Sequence, residues 1–278
     1  MRLRSLLFVP GDRPDRMEKA ARAGADALIL DLEDSVAASQ KATARAAVTA
    51  FLARADRPLP LLVRINPIDG ADAKEDLAAL RDVRPDGLVL PKAEGATSIH
   101  TLSSWTGAPI LPIATETPAA IFELGTYRGV TDRLLGLTWG AEDLPAAIGA
   151  TTAREQDGRY TAPLETVRSL ALFAAHAAAV PAIETVYPNF RDLDGLAAYA
   201  ARGARDGFSG MMAIHPDQVA VINRAFTPSA TEVGAARAIV DAFAAEPQAG
   251  VLAVDGKMVD APHLAQARRL LERAGEEL

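Results

Sequence analysis

Eight short aliphatic runs punctuate the chain between residues 4 and 215, and alanine-rich stretches separate them. They are RSLLFVP at 4–10, ALILDLE at 27–33, LLVRIN at 61–66, GLVLPK at 87–92, PILPIAT at 109–115, RLLGLTW at 133–139, AIETVY at 182–187 and FSGMMAIH at 208–215. The stretches between them, such as RPDRMEKAARAGA at 13–25 and SQKATARAAVTAFLARA at 39–55, carry apolar residues at helical spacing. Strands alternating with helices predict a parallel sheet covered by helices. Eight such units fit an α/β fold, a closed (β/α)8 TIM barrel of about 250 residues. The competing arrangement is an open, doubly wound sheet. No GxGxxG or GxxxxGK[ST] pattern follows the first run, which counts against it.

The barrel is expected over residues 1–226. Residues 227–278 read as a C-terminal helix–hairpin–helix extension: a long helix over 227–246, a hairpin over 249–263 turning at Asp255-Gly256, and an amphipathic last helix. This extension is expected to act as a cap or lid, or to reach a neighbouring subunit.

Composition narrows the partners. The net charge is -7 and no block of five basic residues occurs, so nucleic acid is not an expected partner. No run of 18 apolar residues is present and the N-terminal apolar run stops at Pro10, so neither a membrane span nor a signal segment is expected. Cysteine is absent, which excludes thiolate metal sites and cysteine nucleophiles and fits a reducing compartment. The expected location is cytoplasmic.

Catalytic groups of such barrels sit at the carboxyl ends of the strands. Those ends carry Asp31, Glu33 and Asp34, then Arg64 and Asn66, Lys92, Glu116, the pair Glu142 and Asp143, and His215. Alternation along LILDLED puts Leu28, Leu30 and Leu32 toward the helices and Ile29, Asp31 and Glu33 into the barrel. A buried carboxylate needs a partner. Arg64, at matching depth on the next strand, is the natural one for Asp31, either as a structural ion pair or with Arg64 gripping a substrate carboxylate. Glu116 and Asp143 close neighbouring strands and would repel unless a cation lay between them. A hard divalent ion such as Mg2+ takes one or two carboxylates and keeps positions for substrate oxygens. The competing reading of the Glu142–Asp143 pair is helix capping, with Glu142 the better capping candidate or an outer support of the metal. Lys92 reads as a lysine paired with Glu33 or Glu94, or as a Schiff-base lysine. His215 reads as a structural hydrogen bonder.

The motifs RSLLFVPGDRPDRMEKA, LILDLEDSV, VRIN, VLPKAE, TET, GAEDL, IHPDQ and DGKMVDAP, in this order between residues 3 and 275, resemble the citrate lyase β-subunit-like group of the HpcH/HpaI aldolase and citrate lyase superfamily. The resemblance implies a Mg2+-dependent barrel that makes or breaks a carbon–carbon bond beside an acyl thioester, with coenzyme A as part of a substrate such as malyl-CoA, citramalyl-CoA or citryl-CoA. It implies Glu116 and Asp143 as metal ligands, Arg64 as the substrate arginine, and Asp260 as a catalytic aspartate given to a neighbouring subunit. It implies Phe8, Arg13 and Lys19 along the thioester channel, and a homo-oligomer, a trimer. One departure is Glu184, where relatives often carry Asp, which bears on substrate fit at strand seven. Two other activities share these motifs: a metal-dependent aldolase acting on free pyruvate and aldehydes, and a citryl-acyl-carrier lyase subunit that needs partner subunits.

Overall fold

The computed structural model describes residues 1–276. The chain divides into two compact units, Met1–Asn223 and Arg224–Leu278.

In the first unit all eight expected strands form: β1 Ser5–Pro10, β2 Ala27–Asp31, β3 Leu61–Arg64, β4 Gly87–Leu90, β5 Ile110–Pro112, β6 Leu137–Thr138, β7 Ala182–Glu184 and β8 Gly210–Ala213. They pair in parallel in the order β5-β4-β3-β2-β1-β8-β7-β6. Isolated parallel bridges Ile110–Leu134 and Ile113–Thr138 join the two edges, which closes the cylinder. The open-sheet alternative therefore fails. Several strands are shorter than the apolar runs suggested. The run at 133–139 gives only two strand residues, Leu137 and Thr138, and Arg133 ends a 3-10 turn over Thr131–Arg133.

The alternation expected along β2 is present. Ala27 and Ile29 join Leu6, Leu62, Val89, Leu111, Ile113, Ile183 and Met212 in the buried cluster. One polar layer lies beyond this plug, where the inward positions next along the strands are Asp31 and Arg64, paired in register. Helices α1 Pro14–Ala20, α2 Lys41–Leu52, α3 Asp72–Ala79, α4 Gly95–Ser103, α5 Pro118–Glu123, α6 Asp143–Ala147, α7 Ala162–Ala177, α8 Leu193–Asp206 and α9 Pro216–Ala225 follow the successive strands. No helix among the described residues is long and apolar enough to cross a membrane.

The alternation also corrects one expectation. Ile183 faces inward, so Glu184 on β7 faces the helix layer. It is fully buried there, accepting from Trp139 Nε1 at 2.5 Å, Arg168 Nε at 2.7 Å and Tyr199 Oη at 2.8 Å. Glu184 braces β7 against α7 and α8 and does not shape the interior.

The second unit is a helix–hairpin–helix. Helix α10, Ala230–Ala245, opens with a capping box between Ser229 and Glu232. Strands β9 Val251–Val254 and β10 Lys257–Asp260 pair antiparallel. Their turn holds Asp255 at φ 49° and Gly256 at φ 72°, the left-handed pair of a two-residue type I′ hairpin. Helix α11, Ala261–Ala274, packs Ala267 and Leu271 against Ala236 of α10.

Candidate active site

A cavity of about 310 Å3 opens at the carboxyl ends of the strands. Phe8, Arg16, Asp31, Asp34, Arg64, Glu116, Glu142, Asp143 and Thr185 are among its walls. The two sides of the barrel bring different charges to it.

On the β2–β3 side, Arg64 donates from Nε and Nη2 to the two Asp31 oxygens, both at 2.6 Å. Its Nη1 lies 2.9 Å from Glu33 Oε2 and its guanidinium stacks 4.8 Å from the Phe8 ring centre. Burial works to raise the Asp31 carboxyl, but the Arg64 hydrogen bonds and charge hold it below the ordinary value. Burial prevails at Glu33, which is raised despite Arg64 and Lys92. The network behind this rim was not foreseen. Lys41 Nζ donates to the Leu32 and Glu33 carbonyls and to Asn66 Oδ1 at 2.6, 2.8 and 2.7 Å. Asn66 in turn donates to buried Asp76, which Arg45 neutralises at 2.7 Å. The ends of β2 and β3 are thus fixed before any ligand arrives.

On the other side, Glu116 follows β5 and Asp143 opens α6. Glu116 is 5% exposed. Its carboxyl is pushed up to about 7, first by burial and further by the charges of Asp143 and Glu33. Gly140 lets the end of β6 approach it, since a Cβ there would meet Glu116 Cγ at 2.6 Å. Glu142 holds the N-cap position of α6 but makes no side-chain capping bond, so the capping role expected of it is not observed. Asp143 instead lies 3.2 Å from Lys92 Nζ. Lys92 also contacts Glu33 at 2.9 Å, the pairing read from the sequence. Glu94 does not share it and accepts from Thr117 Oγ1.

The remaining expected residues fall elsewhere. Arg13 and Lys19 are exposed and do not line the cavity, whereas Arg16 does. Helix α1 starts at Pro14 and buries Met17 and Ala20. Arg16, in its first turn, stays near the rim, and Lys19 lies almost a turn further along. His215 Nδ1 accepts from the Asp217 N–H at 3.2 Å, and its ring stacks on Phe190. Asp260 ends β10 on the second unit, with its Oδ1 2.5 Å from His263 Nδ1.

The donors in the cavity suit a hard cation. Glu116 and Asp143 supply carboxylate oxygens, and burial leaves Glu116 short of neutralising charge. Among the described residues no group of three or more His, Cys, Asp or Glu side chains could hold a metal. Two carboxylates with open positions are what Mg2+ takes when water and substrate complete its shell. A polar, charge-lined mouth on a closed parallel barrel defines a TIM-barrel protein with a carboxylate-based site.

The sequence model of the HpcH/HpaI aldolase/citrate lyase family matches residues 4–216, and the chain belongs to that family. It is 39% identical over 273 residues to the citrate lyase subunit beta-like protein of Mycobacterium tuberculosis, covering 97% of this chain and 95% of that one. It is 34% identical over 275 residues to the (3S)-malyl-CoA thioesterase of Cereibacter sphaeroides, covering 98% and 94%. The crystal structure of the M. tuberculosis CitE protein in complex with magnesium, acetoacetate and coenzyme A superposes with a TM-score of 0.86 at 36% identity, covering 99% of each chain.

Proposed function

We propose that this chain is a Mg2+-dependent carbon–carbon lyase. Its substrate is a 3-hydroxy-carboxyacyl-CoA, cleaved reversibly to an acyl-CoA and a 2-oxo acid. The observation that carries this reading is the convergence of Glu116, Asp143 and Arg64 on one cavity at the barrel rim. The relatives named for coenzyme A substrates, and the one bound to magnesium and coenzyme A, support it.

Glu116 and Asp143 are the proposed magnesium ligands. The bound ion supplies Lewis-acid charge that lowers the substrate hydroxyl pKa and stabilises the 2-oxo acid oxygen. Arg64, held rigid by Asp31 and Phe8, adds positive charge at the same end. The hydroxyl proton passes to solvent water, and the electron pair of the breaking carbon–carbon bond passes to the thioester enolate. Asp260 of a neighbouring subunit gives that carbon a proton, and removes one in the condensation direction. The cavity of about 310 Å3 holds the acyl end but not a whole coenzyme A. Arg13, Arg16 and Lys19 on α1 and its approach suit the phosphates of the arm outside it.

We place Asp260 in trans in a homotrimer. The hairpin that carries it shows Met258 and Val251, 76% and 51% exposed, an apolar surface suited to a partner. The cysteine-free composition suits the cytoplasm as its compartment.

The test is a panel of malyl-, citramalyl- and citryl-CoA, with and without Mg2+, read by release of 2-oxo acid and of free thiol. Magnesium-dependent 2-oxo acid release with the thioester intact is expected. Thiol release alone makes the protein a thioesterase. Activity on pyruvate and aldehydes alone makes it an aldolase, and turnover only on an acyl carrier protein makes it a lyase subunit.

Glu184 stands apart from this scheme. Glu184→Asp withdraws the carboxylate from Trp139 and Tyr199 and is expected to cost about 1–3 kcal/mol of stability. Thermal unfolding should show this, with KM unchanged. A raised KM at unchanged stability would return Glu184 to the substrate.

A further inference from the structure

Lys92 is bound into the candidate metal site by both its backbone and its side chain. Its φ is 50°, and the only other non-glycine residues with positive φ among those described are Ala179 and Asp255. A left-handed conformation is costly for lysine and persists only where the surroundings enforce it. At this residue the backbone N–H donates to Glu116 Oε2 at 2.5 Å. The side chain brings Nζ to 2.9 Å from Glu33 Oε1 and 3.2 Å from Asp143 Oδ1. One residue therefore holds both proposed magnesium ligands, one through its amide and the other through its ammonium.

The charges around it explain why. Glu33, Glu116 and Asp143 converge here, and Arg64 is already committed to Asp31 and Glu33. Among the described residues, Lys92 is the cation within salt-bridge distance of Asp143. Without it, Asp143 loses its ion-pair partner while the buried Glu116 carboxylate stays nearby. We infer that Lys92 is a built-in counter-cation for Asp143, which magnesium must displace, and that it thereby sets how weakly the ion is held. A divalent ion beside Asp143 meets the repulsion of an ammonium group a few ångströms away. With an ion on Asp143, Lys92 would keep its contact with Glu33 and its amide would still hold Glu116. The arrangement keeps the ligands in place before the ion arrives and limits the tightness of the finished site. Lys92 is a positioning residue in this role and makes no covalent bond to substrate.

The inference rests on the metal reading of Glu116 and Asp143, and calorimetric Mg2+ titration of the full-length protein separates the two. Lys92→Met removes the charge and keeps most of the side-chain length. It is expected to bind Mg2+ about tenfold more tightly than the wild type, the order of one lost repulsion at partly buried range. Lys92→Gln keeps a donor for Glu33 without the charge and should tighten binding in the same direction. It serves where the Met variant does not fold. Wild-type binding with no tightening in either folded variant overturns the counter-cation role and leaves the metal reading standing. No Mg2+ binding by the wild type overturns both.

Discussion

Asp260→Asn is expected to fold, to bind Mg2+ as the wild type does, and to lose turnover by a factor of about 10²–10⁴. The fold should survive because Asp260 is the N-cap residue of α11 and asparagine caps a helix as well as aspartate does. Magnesium binding should survive because the proposed ligands lie on the other unit. Only the capacity to carry a proton is removed. The reacting carbon then depends on water for its proton, and a positioned acid contributes the stated factor. Steady-state turnover on the best thioester of the panel, with calorimetry and circular dichroism as controls, measures it. Unchanged turnover removes Asp260 from the mechanism. The origin of the acid in a neighbouring subunit has its own check. Mixed oligomers of Asp260→Asn and Asp143→Ala chains should recover activity that neither has alone, because some sites then combine an intact metal pair with an intact acid. No recovery on mixing, with exchange of subunits verified, places the acid in cis.

The parts of this molecule that were legible in the sequence are those governed by local pattern. Continuous aliphatic runs such as ALILD and LLVR can be buried on both faces, and their alternation with helices leaves a parallel barrel. Alternation from Ile29 to Asp31, with Arg64 at equal depth on the next strand, identifies an ion pair that register confirms. The same rule applied to β7 would have turned Glu184 outward, since its neighbour Ile183 is the inward residue. A family difference at that position suggested a substrate contact instead. Other features were not legible because they depend on pairings between distant residues. Nothing local to VLPKAE indicates a left-handed lysine, and its partners Glu33 and Asp143 lie on other strand ends. Arg16 rather than Arg13 or Lys19 faces the cavity because of where α1 starts, and a shift of one or two residues in a helix start is below what sequence pattern resolves. The Lys41–Asn66–Asp76–Arg45 support behind the rim joins α2, the end of β3 and α3, so no spacing along the chain reveals it.

Asp143→Ala is expected to abolish measurable Mg2+ binding and, with it, metal-dependent turnover, while the barrel stays folded. Two roles compete for this side chain. As a first-turn acid of α6 it contributes about 0.3–1 kcal/mol through the helix dipole, and a five-residue helix has little of its own to lose. As one of two ligand carboxylates it contributes far more. Disturbing even an outer partner of a metal ligand costs about 10–100-fold in affinity, and a lost ligand costs beyond that range. The Asp143 carboxylate meets Lys92 Nζ at 3.2 Å, and among the described residues it accepts no hydrogen bond from the α6 backbone, which favours the second role. Asp143→Asn separates the two. The amide keeps an oxygen that can accept from helix N–H groups, so a residue needed for capping tolerates the change. A magnesium ligand does not, because the negative charge that offsets the ion's dehydration is gone. Calorimetric titration with loss of binding in both variants and melting temperatures near wild type assigns Asp143 to the metal. Intact binding in Asp143→Ala assigns it to the helix and removes it from the proposed metal site.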